Sequence, residues 1–190
     1  MTITLPLIPN GEPSGSVLLG TLPPGKDDVD ISIPLGDFAN GWNLAGDSVT
    51  LEGNASLHLD LKDVLVFPEP SFPGFMFPRD ITDALFEALN ATDRYMLGRA
   101  FDCSYRGQLP NMTFDFSGTS VVFIEDEYTR HGWRGDDEIC LLMIIEPELD
   151  SPTLAMGTPL FEKFHVVFDM DKDELGRKLH LAATTSLALC

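Results

Sequence analysis

The sequence predicts an all-β fold of mostly antiparallel strands with a few short helices. Short apolar stretches alternate with turns, and 14 proline and 16 glycine residues are spread along the 190-residue chain. Proline and glycine favour turns, so many short strands are expected rather than long helices. The 13 phenylalanines indicate an aromatic core, since aromatic side chains suit the half-buried surface of a sheet. A chain of this length can bury roughly 70% of its unfolded surface in one domain or large lobe.

Composition and charge narrow the class of protein. The residues are 44% hydrophobic and 22% charged, as in globular proteins, and the formal net charge is −18. Such a charge argues against nucleic acid and anionic membrane surfaces as partners, because phosphates recruit lysine and arginine. No apolar run approaches the ~20 residues that span a bilayer. We therefore expect no nucleic-acid partner and no membrane span.

Two signals about the secretory pathway disagree. Three Asn-x-Ser/Thr tripeptides begin at Asn54, Asn90 and Asn111, and they favour a secreted glycoprotein. The first six residues, however, have neither a basic start nor an unbroken apolar core, so they are no signal peptide. A chain trimmed at its front would reconcile the two signals.

The front of the chain predicts a series of short strands. Residues 15–20 form an apolar piece between glycines, and residues 29–35 alternate strictly between apolar and polar side chains. Residues 57–61 alternate again and predict a further strand after a turn at 52–54. Alternation of this kind predicts strands with one buried face.

One long helix is expected at residues 77–91. Pro78 ends the preceding strand, and Asp80 is the candidate N-cap. The apolar side chains that recur at helical spacing are Ile81, Ala84, Leu85, Ala88 and Leu89. They predict one face packed on the core.

The second half of the chain predicts further strands at 109–116, 121–124 and 141–145. Near the end, Thr158-Pro159 predicts the start of a short helix, with the threonine as its cap. The run at 165–168 predicts a strand, residues 169–173 an acidic turn, and residues 174–176 a new extended segment.

This ending resembles the closing signature of pepsin-like aspartic peptidases. The matching pieces are Met156-Gly157-Thr158, Phe161, Val166-Val167-Phe168-Asp169 and Leu175-Gly176. Earlier stretches resemble the same family's second, C-terminal lobe in the right order: the strand from Trp42, the strand 109–116 after Cys103, and Glu125 to Tyr128. Residues 33–35 resemble its crossing between lobes. The resemblance implies that residues 1–41 are the end of a first lobe with crossing strands, and residues 42–190 the C-terminal lobe.

The resemblance also implies a disulfide and a catalytic loop. Cys103 and Cys140 stand where the family has its second-lobe disulfide, and Cys190 would remain free to link two chains. The family hydrolyses peptide bonds with two aspartates, one from each lobe, each in an Asp-Thr/Ser-Gly loop. This loop is expected to cross the chain beside Ala155–Gly157.

No Asp-Thr-Gly or Asp-Ser-Gly occurs in the sequence. Counting from Trp42 and back from the helix places the loop at 66–73, with Glu69 at the aspartate, Pro70 at the Thr/Ser and Ser71 at the glycine. Asp63 is the rival candidate. Proline lacks an N–H group and fixes φ, and serine adds a Cβ where close approach is needed. Either alignment predicts a damaged site.

The sequence therefore leaves enzyme activity open. The preferred interpretation is a catalytically impaired or inactive single lobe of a pepsin-like endopeptidase. The alternatives are a non-enzymatic peptide-binding, protein-binding or inhibitory relative, and half of an active peptidase completed by a partner lobe. The expected partners are a peptide or protein, with a first lobe or a second copy of the chain as further candidates.

No cofactor or metal is expected. Asp169, Asp171 and Asp173 imitate the start of an EF-hand loop, but the sixth position is Glu174 and the twelfth is His180, where calcium loops have glycine and glutamate. The four histidines show no metal-ligand spacing with the cysteines. Arg134-Gly135-Asp136 is interpreted as a turn rather than an adhesion motif.

Overall fold

A computed structural model of the chain describes residues 2–4, 16–18, 31–34, 42–53, 56–91, 93–95, 98–134, 136–147, 151–169 and 178–183. These residues form four β-sheets with mostly antiparallel pairing and a few short helices. The all-β prediction is confirmed. The predicted turn at 169–173 beyond Asp169, the segment 174–176, Asn54 and Cys190 lie outside the described residues.

The strands are β1 Thr2–Thr4, β2 Ser16–Leu18, β3 Ile31–Pro34, β4 Ser48–Glu52, β5 Leu57–Asp60, β6 Leu65–Pro68, β7 Phe75–Met76, β8 Asp93–Tyr95, β9 Gly98–Phe101, β10 Asn111–Phe116, β11 Thr119–Phe123, β12 Thr129–Arg134, β13 Asp137–Leu142, β14 Ile144–Ile145, β15 Thr153–Met156, β16 Phe164–Asp169 and β17 Lys178–Ala183. The helices are α1 Arg79–Ala88, α2 Glu125–Tyr128 and α3 Thr158–Lys163, with a 3₁₀ turn at Cys103–Tyr105.

The first sheet joins the front of the chain to its end. Its order is β2-β1-β16-β17-β3, and all neighbours are antiparallel. β1 was not predicted, because three residues give too short an alternation to detect. Its partner β16 lies more than 150 residues further along the chain, with Thr2 opposite Val167.

The second sheet, β11-β10-β4-β5, carries the aromatic core. Phe114 and Phe116 on β10 and Phe123 on β11 are fully buried, as is Phe75 on β7. The ring centre of Phe75 lies 5.2 Å from that of Phe114 and 5.0 Å from that of Phe123. Tilted and edge-to-face contacts at these distances add stability beyond area burial. The predicted aromatic core is confirmed.

The third sheet has the order β12-β13-β9-β8 and is cross-linked by a disulfide. Cys140 on β13 lies opposite Phe101 on β9. It is bonded to Cys103 in the following 3₁₀ turn, with 5.3 Å between the Cα atoms. This is the pairing that the family resemblance implied.

Helix α1 begins differently from the prediction. Pro78, in an extended conformation, is the N-cap, and it has no side chain that can accept a capping bond. Asp80 lies exposed in the first turn, where its charge favours the helix N-terminus. The Thr82 hydroxyl ties the helix to the segment before it by donating to the Phe77 carbonyl. The buried face predicted from Ile81 and Leu85 is confirmed.

Helix α3 also has another cap than expected. Gly157 is the N-cap, and Thr158 is the first helical residue. The Thr158 hydroxyl donates to the Pro73 carbonyl at 2.8 Å instead of capping the helix. The threonine therefore ties α3 to the loop after β6.

Candidate active-site loop

The fourth sheet contains the crossing expected from the sequence. Its order is β14-β7-β15-β6, so β15 lies between β6 and β7, which follow each other in the chain. β15 pairs parallel to β6, with Met156 opposite Pro68, and antiparallel to β7, with Met156 opposite Phe75. The loop at 69–74 must therefore pass around the end of β15. This loop is called the crossing loop below.

Gly157 makes the close approach possible. Its N–H donates to the Gly74 carbonyl at 3.0 Å, and the next N–H, from Thr158, donates to the Phe72 carbonyl at 2.8 Å. A Cβ at position 157 would lie closer than 3.0 Å to both carbonyl oxygens. These oxygens belong to the backbone and cannot rotate away, so only glycine fits the crossing.

Glu69 lies at the start of the crossing loop, directly after β6. Its N–H donates to the Met156 carbonyl at 2.9 Å, which fixes its backbone beside the end of β15. The carboxylate turns back into its own loop, where Oε1 accepts bonds from the Ser71 N–H at 3.1 Å and the Ser71 hydroxyl at 2.7 Å. Pro70 has no N–H to offer, so Ser71 supplies the first available backbone donor.

Asp63 lies elsewhere. It is exposed in the turn that precedes β6, whereas the crossing loop follows β6 in the sequence. It lines an open groove of about 980 Å³ together with Asp60, Arg79, Asp80 and Asp83. Asp63 and Glu69 are thus placed at opposite ends of β6.

Glu125 at the start of α2 is a buried carboxylate that the sequence pattern did not reveal. Glu125 is 9% exposed, and its oxygens accept the N–H groups of Gly107 at 2.7 Å and Leu109 at 2.9 Å. The Tyr128 hydroxyl, one turn away, donates to the Pro110 carbonyl. Burial, with a smaller effect of the Glu125 charge, raises the pKa of Tyr128. Together they hold the segment between the disulfide and β10.

One group of potential ligand atoms could be mistaken for a metal centre. The Sγ atoms of Cys103 and Cys140 and a carboxylate oxygen of Glu138 lie within 4.8 Å of one another. Both sulfurs are used by the disulfide, so neither is the thiolate that a metal would bind.

Comparison with known proteins identifies the family of the protein. The eukaryotic aspartyl protease family model matches residues 10–179, and the chain belongs to that family. The chain is 21% identical to renin-2 of Mus musculus over 165 residues, which make up 85% of this chain and 41% of renin-2. It therefore spans less than half the length of that relative.

Within the described residues, no helix has the length and apolar character needed to cross a membrane.

Proposed function

We propose that the chain is a C-terminal lobe of the pepsin type whose catalytic loop has been remodelled. Residues 42–190 are the lobe, and residues 1–41 are the end of a first lobe with crossing strands. On its own the lobe is impaired or inactive as an endopeptidase, and it binds a peptide or protein segment without cleaving it. The observation that carries the proposal is the hydrogen bonding of Glu69 within the crossing loop.

Glu69 is the proposed counterpart of the family aspartate. It follows β6 directly, and its backbone is bonded to Met156, one residue before the Gly157 crossing. Asp63 precedes β6 and lies in an exposed turn. Glu69 begins the crossing loop, which passes the end of β15, whereas Asp63 does not lie in that loop. This supports Glu69 over Asp63 as the counterpart of the family aspartate.

The chemistry of the family explains why this loop is expected to fail. Two aspartates hold a water molecule between them and share one proton, because two close carboxylates cannot both ionise easily. A glutamate carries its carboxylate about one methylene further out, and misplacement by ~1 Å can cost ~100-fold in rate. Here the carboxylate is also engaged by both donors of Ser71, which draws it back toward its own loop.

The alternative, half of an active peptidase completed by a partner lobe, is favoured by one observation. Only Oε1 of Glu69 accepts hydrogen bonds from the described residues, whereas Oε2 accepts none there. The side chain is half-buried. Glu69 would then supply one carboxylate to a shared pair, with a first lobe or a second copy of the chain as the partner.

A cleavage assay separates these two functions. We expect no pepstatin-sensitive hydrolysis of a peptide library at about pH 3–5, either by the chain alone or after addition of a first lobe from an active relative. Pepstatin-sensitive turnover that disappears in Glu69→Gln but persists in Asp63→Asn would overturn the proposal and establish the alternative. Peptide binding is measured in parallel with the same library by fluorescence anisotropy, and the absence of any binding would leave an inhibitory or purely structural lobe.

A repaired loop provides the positive control. In the triple variant Glu69→Asp, Pro70→Thr, Ser71→Gly, the shorter carboxylate and the restored backbone N–H should allow cleavage when the first lobe is added. Failure of both the native and the repaired loop, with a correctly folded complex, would show that the defect lies outside the loop.

We further propose that the protein is made in the secretory pathway. Disulfides such as Cys103–Cys140 form and persist in oxidising compartments and are rare in the cytosol. Alkylation of the protein in its native cells, without reduction, should leave both cysteines unlabelled.

A further inference from the structure

We propose that Asn90 is an N-glycosylation site. The group attached would be an oligosaccharide, transferred from a lipid-linked diphosphate donor. This inference rests on the proposed secretory origin of the protein and not on the function of Glu69, and the grooves beside Asn90 contain no residue of the crossing loop.

Asn90 sits at the exposed C-terminal end of α1, where it starts the tripeptide Asn90-Ala91-Thr92. It has φ of 51°. Its N–H donates to the Glu87 carbonyl at 3.1 Å, and the Ala91 N–H donates to the Phe86 carbonyl at 2.9 Å. These two bonds form a Schellman motif, which ends the helix and fixes the backbone of Asn90. The Asn90 side chain makes no hydrogen bond with the described part of the chain.

There is room for saccharide on both sides of Asn90. One groove of about 600 Å³ runs from Asn90 past the disulfide to Tyr105 and Glu138. A second groove of about 310 Å³ runs between Asn90, Glu87 and Arg99. Tyr105 is 45% exposed, so its ring offers an apolar face beside polar side chains. A sugar ring, which has apolar C–H faces and polar edges, matches such a surface.

The other two tripeptides are less well placed. Asn111 is exposed, but it begins β10, a strand paired on both sides. The next two residues, Met112 and Thr113, are 0% and 8% exposed, so this tripeptide is closed off once the sheet has formed. Asn54 lies outside the described residues.

The cellular compartment indicated by the disulfide is one in which Asn90 could be glycosylated. The Cys103–Cys140 disulfide indicates folding in an oxidising compartment, which in eukaryotic cells is also where asparagine-linked oligosaccharide is added. The Asn-x-Ser/Thr tripeptide is the acceptor pattern, and the modified asparagine must lie on the surface.

The transfer reaction is a substitution at the anomeric carbon of the donor. The Asn90 Nδ2 forms a bond to C1 of the first sugar, and the bond between C1 and the diphosphate oxygen breaks. The lipid diphosphate leaves, and the amide loses one proton to the medium. No oxidant or reductant is needed.

Asn90 also has a purely structural explanation, because asparagine tolerates the left-handed conformation better than most residues. Two variants separate the explanations. Asn90→Gly preserves the left-handed cap and removes the acceptor, whereas Thr92→Ala preserves Asn90 and destroys the tripeptide. Thr92→Ser is the matched control that retains the acceptor pattern.

The experiment is secretion of the full chain from a eukaryotic cell with an added leader peptide and a C-terminal Asn-Gly-Thr tag. Only molecules whose tag carries glycan are analysed, because a glycosylated tag shows that the molecule was exposed to the oligosaccharide transferase. Glycopeptide mass spectrometry after enzymatic deglycosylation in heavy-oxygen water then reports occupancy at each asparagine.

We expect Asn90 to be occupied in most molecules of the native chain and in Thr92→Ser. We expect complete loss of this glycan in Asn90→Gly and Thr92→Ala, without loss of secreted yield in Asn90→Gly. An unmodified Asn90 in molecules with a glycosylated tag would overturn the proposal and leave the helix cap as its explanation.

Discussion

At the scale of single residues, the structure assigns roles that depend on which groups are buried together. Glu125 is a charged residue in a buried position, and it is tolerated because each oxygen accepts a backbone N–H. A buried charge without such partners would be strongly destabilising. Residues 107–110 are in no strand or helix, and hydrogen bonds to the side chains of Glu125 and Tyr128 hold them in place.

The Tyr128 hydroxyl provides a pH-dependent prediction. The folded protein holds the phenol proton more tightly than the unfolded chain, since burial raises its pKa above the ordinary 10.0. The raised pKa adds to the free energy of unfolding, and this stabilisation is complete below pH 10.0. It is lost as pH rises toward the folded-state pKa, because the unfolded chain releases the proton first. The native protein should therefore lose stability above this pH.

Tyr128→Phe should lower the free energy of unfolding by about 1–2 kcal/mol near neutral pH, because the Pro110 carbonyl loses its donor. The variant should also lose less stability than the native protein as pH rises above 10.0. Urea denaturation at neutral and alkaline pH measures both effects. Tyr105→Phe, in which the ring is 45% exposed, is the control. Equal alkaline sensitivity of native protein and Tyr128→Phe would contradict the prediction.

At the scale of elements, the crossing loop depends on three strands and one helix. β15 lies between β6 and β7, and α3 begins at the residue where the loop passes. The loop backbone is held by bonds to Gly157 and Thr158. The backbone position of Glu69 is therefore set by the fold, because its N–H donates to the Met156 carbonyl at the end of β15.

Gly157→Ala tests this dependence. The added Cβ would collide with two backbone carbonyls of the crossing loop, so we expect a loss of at least about 3 kcal/mol or failure to fold, as for other severe steric changes. Gly132→Ala in β12 is the matched control, since a Cβ there meets nothing within 4 Å. Thermal and urea denaturation report both variants. Similar stability of the two variants would mean that the loop does not cross β15 as described.

At the scale of the whole molecule, the disulfide joins two segments that are distant in the sequence. Cys103 and Cys140 are 37 residues apart in sequence. The chain-entropy model assigns a loop of this size roughly 3–4 kcal/mol of stabilisation. The closed loop contains β10, β11, β12 and the start of β13, which belong to the second and third sheets, so loss of the disulfide should affect global unfolding rather than one local segment.

Replacing both cysteines, Cys103→Ser with Cys140→Ser, should lower the free energy of unfolding by roughly 3–4 kcal/mol. Chemical denaturation of the native and double-variant proteins without reductant is the measurement. Cys190→Ser, which keeps both bridged cysteines, is the control and should match the native protein. A destabilisation by Cys190→Ser as large as that of the double variant would contradict the assigned pairing.

The sequence was informative where the signal is local or is carried by a family pattern. Alternating side chains predicted β3 and β5, and the helical spacing of Ile81 and Leu85 predicted the buried face of α1. The family pattern predicted β4, although the strand starts at Ser48 rather than at Trp42. It was less informative at boundaries. The N-cap of α1 is Pro78 rather than Asp80, because the Thr82 N–H already donates to the Pro78 carbonyl and helical bonding therefore starts two residues before Asp80.

By itself, the sequence determined the fold class and the family, because the first follows from the pattern of short apolar stretches and turns and the second from motif order. Only the tertiary structure decided that β1 pairs with β16 at the other end of the chain, that Ser71 engages the Glu69 carboxylate, and that Glu125 is buried. These features arise from contacts between segments that are distant in sequence or from the exact path of a loop. Neither leaves a periodic signal in the chain.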